Sequence, residues 1–532
     1  MLSSDFCFIL ALCFLTLTSC GGALSERAAD SLYMQLAAEP DTLNPITATD
    51  AYSSAINSRI YESLVERNRD TLELEPKLAE SWRVSPDKFR YRFFIRKNIF
   101  WSDGVPFTAD DIVYSFNTIK DPKVACMPLK GYYNDISECV KIDRYTVEFV
   151  CAAFSDGKAA KPYFLAHEFC GGMPIVPKHI FDDGSDFNSH KNNKEPVGTG
   201  PYKFLRWKTG VSIELARNEN YWGRKPAVKH IVYKIVSEPN VALQMLKKGD
   251  IDVMTVRPIQ WERQTNSEKF NEKFYKFNYY QPHCSYIGWN SRRPFFSDSR
   301  VRRAMTMLID RESILKKLLF GRGMVVSSTF YALSPASNKN ITPWPHDPQA
   351  AVSLLKEAGW ADTNGDGILD KDGVKFAFTI NIPSGAAFSE RLSVMLKEDF
   401  SRVGIDVSIN RYEWAVFLSK VNARDFEAVI LAWNLSYNDD PYQLWHSKEA
   451  DKGSNFCGFS NDEADRLILA ARQEFDEKRR NRMYHRFHEI LHNEQPYTFL
   501  FCNQEHVAVS RRFSNVNLHV MGLNIEEWEI AQ

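Results

Sequence analysis

Apolar positions along the chain recur with a period of two in some stretches and of three to four in others, and the two kinds alternate. LYMQLAAEPDTLNP reads as a strand running into a loop, and Ala51 to Glu66 as a helix. The stretch PKLAESWRVSPDKFRYRFFIRKNIFWSDGVPFTADDIVYSF alternates apolar and polar residues through Tyr91 to Ile95, then starts a helix at Thr108. Thr108-Ala109-Asp110-Asp111 has the form of a capping box, with a hydroxyl at the N-cap and an acid three residues on. Turn-formers in PVGTGPYKF break the chain before the strand-like VSIELARN, and VALQMLKKGDIDVM reads as helix, Gly-Asp turn and strand. YIGWN is a strand, DSRVRRAMTMLIDRESILKKLLF one long amphipathic helix, and PQAAVSLLKEAGW a helix stopped at Gly359. From Phe376 the order is strand, helix (Ser389 to Val403), strand, helix, strand (AVILAW), then a loop and two helices up to His492. Strands alternating with helices of this length predict a mixed α/β class.

Length changes the picture first: 532 residues exceed what one hydrophobic core sustains, so several lobes are expected. A formal net charge of -1 gives no electrostatic reason to expect a nucleic-acid partner. The 36 Phe, 22 Tyr and 12 Trp fill several cores and suffice besides to line an enclosed ligand cavity.

The N-terminus carries FCFILALCFLTL, an apolar run too short to span a bilayer as a helix and followed by small residues, the build of an export signal. Leu17-Thr18-Ser19-Cys20-Gly21-Gly22 resembles a bacterial lipobox, which implies that Cys20 is the lipidated first residue of the mature chain, with simple secretion or a retained anchor as the alternatives. It departs from the usual pattern in having no basic residue before Cys20 and an acidic Asp5. Cys7 and Cys13 leave with the signal, and Cys126, Cys139, Cys151, Cys170, Cys284, Cys457 and Cys502 remain. That set is odd and lacks metal-binding spacing, so at least one free thiol is expected.

The ordered strings PDTLNP, IYESLV, PKLAESW, WSDGVPFTADDIVYSF, GTGPYKF with RNENYWG, GDIDVM, DSRVRRAMTMLIDRESI, LLKEAGW, and VGIDVSI with RYEW resemble the bacterial extracellular solute-binding proteins that serve oligopeptide and dipeptide ABC transporters. The resemblance covers nearly all of the mature chain. It implies a three-lobed, periplasmic-binding-protein-like fold of the large peptide-binding type that closes by a hinge. The implied division is a signal at 1–19, lobe I from 20–67, 197–278 and 503–532, lobe II from 68–196, and lobe III from 279–502. It further implies a non-enzymatic monomer without a cofactor. Its partners are a peptide or peptide-like ligand, ABC permease subunits, and a membrane reached through the lipid anchor.

In AVILAWNLSYNDDPYQLW a buried-looking strand ends in a polar loop bracketed by Trp433 and Trp445, and ligands of α/β lobes bind beyond the carboxyl ends of strands. The resemblance makes this the loop that holds a peptide's amino terminus, with a carboxylate three residues after the tryptophan. Ser436 occupies that position here, and the loop is one residue longer before Pro441. Either Asp439 or Asp440 supplies the charge from a shifted place, or the amine clamp is absent; a turn at Asp440-Pro441 with Asp439 as a cap is the structural alternative. The candidates of this loop are Trp433, Asn434, Ser436, Tyr437 and Asp439. By the same resemblance Thr49, Asp50, Ala51 and Tyr52 form an edge that pairs with peptide backbone, and Tyr132 or Tyr133 an aromatic wall. Tyr286, Trp289 and Asn290 lie at the crossover between lobes I and III. The dipeptide branch's arginine is missing from Pro383-Ser384-Gly385-Ala386-Ala387-Phe388, which favours a longer peptide or another solute, such as a metal chelate, haem or a glycopeptide.

Two further motifs compete. His488-Glu489-Ile490-Leu491-His492 has the H-E-x-x-H spacing that puts two imidazoles one helical turn apart for Zn²⁺. Gln495 stands where the extended form has glycine and Pro496 ends the helix, so a packing helix is expected, with a zinc metallopeptidase as the alternative from another class. Asp362 to Asp370 imitates the first nine positions of an EF-hand loop, but Gly373 holds the twelfth, where calcium needs a bidentate glutamate, so a polar hairpin loop is expected.

Overall fold

The computed structural model describes residues 28–531, apart from 152–153, 156–157, 160–161 and 439. The predicted signal, Cys20 and Asp439 lie outside the described residues. Three sheets organise the rest, in a mixed α/β arrangement.

The largest sheet has eight strands. Its order is Tyr202–Lys208, Ser212–Arg217, His230–Ile235, Ser31–Leu36, Val253–Thr255, Phe501–Ser510 and Phe274–Tyr280, with Gly323–Val325 pairing on Phe501–Ser510. Ser31–Leu36 runs parallel to both its neighbours, so the N-terminal, middle and C-terminal parts of the chain meet in one sheet. A second, five-stranded sheet has the order Asp406–Tyr412, Ala377–Pro383, Ala428–Asn434, His283–Trp289 and Tyr497–Phe499. The third is an antiparallel sheet of four strands, Ala79–Val84, Arg90–Ile95, Thr146–Cys151 and Ile136–Asp143.

The chain passes between the first and second sheets at 281–282 and again at Leu500. The two crossings lie side by side: Leu500 N donates to Ser285 O at 2.9 Å, and Ser285 Oγ donates to Phe501 O at 3.2 Å. The buried side chains follow the sheets. One cluster spans the first and third sheets, and two others cover opposite faces of the second, because alternate residues of His283–Trp289 point to opposite sides.

Local signals mostly hold. Thr108 caps Ala109–Lys120: its hydroxyl accepts from Asp110 N, and the Asp111 carboxylate accepts from Thr108 N at 2.9 Å. Two predicted elements are corrected. The first helix covers Ala51–Ile60 and stops short of Glu66, and Val65–Arg67 pairs as a strand with Leu74–Pro76. The cause is tertiary: the last helical carbonyl, of Ile60, accepts from Gly200 N at 2.8 Å. The long helix after Asp298 is two, Ser299–Met307 and Arg311–Leu319. Asp310 breaks it by capping the second piece through Ser313 N at 2.9 Å.

Candidate functional site

The central strand Ala428–Asn434 delivers Trp433 near its carboxyl end, where its half-buried ring stacks between Tyr286 (centroids 6.1 Å) and Phe456 (5.7 Å). Beyond it, Asn434 and Ser436 are exposed, and Ser436 Oγ accepts from Asn438 N at 3.2 Å. Tyr437 then turns toward the C-terminal part of the chain. Its ring meets Tyr331 edge-on at 5.7 Å, and its hydroxyl donates to Val520 O at 3.5 Å.

Asn438 and Asp440 reach the other way, to residues packed with the third sheet. Asn438 Nδ2 donates to Glu168 at 2.6 Å, and Glu168 is also paired with Arg67. Asp440 Oδ2 accepts from Tyr163 Oη at 2.6 Å and from Arg472 Nε at 3.1 Å. Arg472, at the end of the helix Asp462–Arg472, lies 4.4 Å over the Tyr163 ring and reaches Asp135 at 3.3 Å, while its carbonyl accepts from Phe164 N at 2.9 Å. Asp440 and Arg472 are only 15% and 19% exposed, so these charge-assisted bonds act in a poorly screened place. Asp440 is therefore a bridge between the loop after Trp433 and Tyr163, with its charge already matched. None of Tyr163, Glu168 or Arg472 is marked by a local motif, and sequence reasoning missed all three.

Of the two residues expected as an aromatic wall, Tyr132 is exposed and Tyr133 is corrected. Tyr132 stacks on Phe169 at 4.9 Å, which stacks on Tyr163 at 5.8 Å, so a row of rings leads to Asp440. Tyr133 is 2% exposed, packs edge-on to Phe116, and donates its hydroxyl to Phe169 O at 3.0 Å; it belongs to the core. Trp289 and Asn290 are corrected likewise. Trp289 is fully buried and donates Nε1 to Thr498 Oγ1 at 3.0 Å, while Asn290 Nδ2 donates to Phe426 O at 2.8 Å. Tyr286 is a backing for Trp433, buried by its stack on Tyr497 at 3.9 Å.

Around the first helix, Thr49 and Ala51 are exposed and Tyr52 is half-buried against the large core. The Asp50 carboxylate is engaged as the helix N-cap, accepting from Ser53 N at 2.8 Å. Among the described residues, no hydrogen bond or ring stack joins these four to the loop after Trp433.

The HEILH string is a packing device. His488 is fully buried in the helix Glu477–Glu494, with Nε2 on Ser327 Oγ at 2.9 Å and Nδ1 accepting from Asn338 N at 3.1 Å, so both ring nitrogens are occupied. Burial, with His492 nearby, lowers its pKa to about 3. His492 stacks flat on Trp344 at 4.9 Å, and Glu489 pairs with Arg486 at 2.9 Å. In the EF-like loop, Asp362 accepts from the backbone of Gly365 and Gly367, Asp366 pairs with Lys375, and Asp370 accepts from Thr363 N at 2.9 Å, so the loop's carboxylates hold its own fold. Among the described residues, no group of three His, Cys, Asp or Glu side chains is placed to hold a metal ion, and no helix is long and apolar enough to cross a membrane.

Comparisons with known proteins agree with this architecture. Residues 73–455 match the family model described as bacterial extracellular solute-binding proteins, family 5 middle. The chain is 32% identical over 505 residues to the oligopeptide-binding protein AppA of Bacillus subtilis (strain 168), covering 93% of this chain and 90% of the relative. It is 26% identical over 488 residues to the dipeptide-binding protein of Escherichia coli (strain K12), covering 86% of each. The solved structure of Bacillus subtilis AppA in complex with a nonapeptide superimposes with a TM-score of 0.81 at 31% identity, covering 94% of this chain and 99% of that one. NikZ from Campylobacter jejuni in complex with Ni(L-His) gives a TM-score of 0.81 at 25% identity, covering 94% and 100%.

Proposed function

Because this chain belongs to the family 5 bacterial extracellular solute-binding proteins, we propose that it is a non-enzymatic receptor that captures oligopeptides outside the cytoplasmic membrane and hands them to an ABC permease. The observation that carries the peptide reading is its likeness, over nearly the whole of both chains, to a protein solved with a nonapeptide bound.

On this reading the three sheets belong to three lobes: lobe I from 20–67, 197–278 and 503–532, lobe II from 68–196, and lobe III from 279–502. The paired crossings at 281–282 and Leu500 act as the hinge, and the Tyr163–Asp440–Arg472 contact holds the lobes closed over the ligand. Trp433, Asn434, Ser436, Tyr437 and Asp439 face the ligand from lobe III, Tyr132 from lobe II, and Thr49, Asp50, Ala51 and Tyr52 from lobe I. Backbone pairing along such an edge leaves side chains in hydrated space, which gives sequence-tolerant binding. Residues 1–19 are the export signal and Cys20 the lipid anchor, which places the receptor at the outer face of a bacterial membrane.

A second reading keeps the fold and changes the cargo. Ser436 replaces the expected acid, and Asp440 is committed to Arg472, which leaves this loop without a free described carboxylate for an amine. Native mass spectrometry of the protein purified from its own cells, followed by sequencing of released ligands, separates the two. A ladder of peptides of several lengths is expected; a single metal chelate, haem or glycopeptide with no peptide would overturn the peptide reading.

A further inference from the structure

We propose that Glu505 is an anionic subsite that receives an ammonium group of the ligand. The inference rests on the peptide-receptor reading and names an acid of that same site.

Glu505 lies in Phe501–Ser510, just past the Leu500 crossing, directly opposite Tyr279 in the antiparallel register. Alternation along the strand puts it on the face of Val507 and Val509, and Tyr279 on that of Phe277; these neighbours join the large core. Toward the crossing that core opens, and Glu505 and Tyr279 are only half-buried. Three further chain segments come close to Tyr279 and Tyr280. Tyr279 packs against Gly522, where an added Cβ would sit 3.0 Å from the ring. Tyr437, from the loop after Trp433, reaches Val520 O at 3.5 Å, and Tyr331, edge-on to Tyr437, donates its hydroxyl to Tyr280 O at 3.2 Å.

Glu505 differs from the other part-buried acids named above and from Glu62. Glu168 is held by Arg67 and Asn438, Asp440 by Tyr163 and Arg472, and buried Glu62 by Tyr221 and Trp222 at 2.7 and 3.0 Å with Lys77 nearby. Among the described residues, no side chain gives the Glu505 carboxylate a hydrogen bond or an ion pair. Burial alone holds its pKa above the usual glutamate range. A desolvated carboxylate without a partner is costly, and proteins normally pair such a group. A ligand ammonium placed here removes that cost and forms a charge-assisted bond.

An ammonium can come from a peptide's amino terminus or from a lysine side chain, and the test separates the two. Wild type, Glu505→Gln and Glu505→Asp are offered synthetic libraries of short peptides, and bound species are quantified by competition in native mass spectrometry. One library has free amino termini and no lysine, a second is N-acetylated without lysine, and a third is N-acetylated with one lysine. Wild type is expected to prefer an ammonium-bearing library over the second by about tenfold or more, Glu505→Gln to lose that preference, and Glu505→Asp to keep part of it. Preference for the first library assigns the amino terminus, and for the third the lysine side chain; either supports the proposal. Glu505→Gln is isosteric and removes an unpaired charge, so its melting temperature should equal or exceed that of wild type. If it keeps the wild-type preference, or if wild type binds all three libraries equally, the proposal is overturned while the peptide reading stands. If no library binds, both fall.

Discussion

The Tyr163 hydroxyl donates a 2.6 Å hydrogen bond to the carboxylate of Asp440, 277 residues further along the chain. It ties the core packed on the third sheet to the loop after Trp433, and Arg472 completes it at 3.1 Å from the same oxygen. Deleting a hydrogen bond to a charged group costs about 1.5–3 kcal/mol, which is roughly ten- to a hundredfold in a closure equilibrium. Tyr163→Phe and Asp440→Asn should therefore each weaken ligand binding about tenfold by calorimetry, and small-angle scattering of the unliganded variants should show a larger radius of gyration. An effect of Asp440→Asn with none from Tyr163→Phe would make Asp440 a ligand contact and sink the bridge.

Gly198 and Gly200 press on the end of the first helix. A Cβ built on Gly198 would sit 1.9 Å from the Ile60 carbonyl oxygen, an overlap only backbone movement can relieve. Gly198→Ala should destabilise by more than ~3 kcal/mol, among the largest single-substitution effects. Gly210→Ala is the control for a glycine in open space: there the cost is the positive φ of 70° alone, without steric overlap. Thermal unfolding of the two variants side by side should rank Gly198→Ala well below Gly210→Ala; equal melting temperatures would contradict the packing.

These two sites also mark what the sequence could disclose. The capping box at Thr108 and the Gly359 stop are written in neighbouring residues, and they appear where the pattern puts them. The stop at Ile60 is imposed by a glycine segment far along the chain, and the bond from Tyr163 to Asp440 joins two loops that no periodicity connects. Asp310 is a different case: aspartate is a good N-cap, but the apolar stripe runs on across it and predicts one helix where there are two. Tyr133, Trp289 and Asn290 are buried, and neither a family resemblance nor a place near a crossover says whether a side chain looks into a core or out of it.

The seven described cysteines are free thiols, and all are buried. Burial raises the pKa of Cys502 to about 11 and of Cys151 to about 12, far from thiolate at neutral pH. Ellman's reagent should titrate close to none of them in the folded protein and all seven in guanidinium chloride, without added reductant. Fewer than seven after denaturation would reveal disulfides and contradict the free-thiol state.

His488 gives the sharpest pH dependence. Its pKa is about 3 in the folded state because burial, with His492 nearby, opposes the charge, while an unfolded histidine titrates near ~6.5. Burial and the cations Arg311 and Arg303 likewise lower His492 to about 4. A depressed folded pKa means that the unfolded state takes up protons first as pH falls. The stabilisation is thus complete above about pH 6.5 and is lost between there and about pH 3, at up to ~1.4 kcal/mol per pH unit for each histidine. Denaturant melts from pH 7 to pH 4 should show this slope, and His488→Gln, which keeps hydrogen-bonding capacity without titrating, should flatten it while lowering stability at pH 7. A zinc site would give a different signature: stability at pH 7 would rise with added Zn²⁺ and fall with chelator. With both nitrogens of His488 bonded to Ser327 and Asn338, neither addition should move the melting temperature.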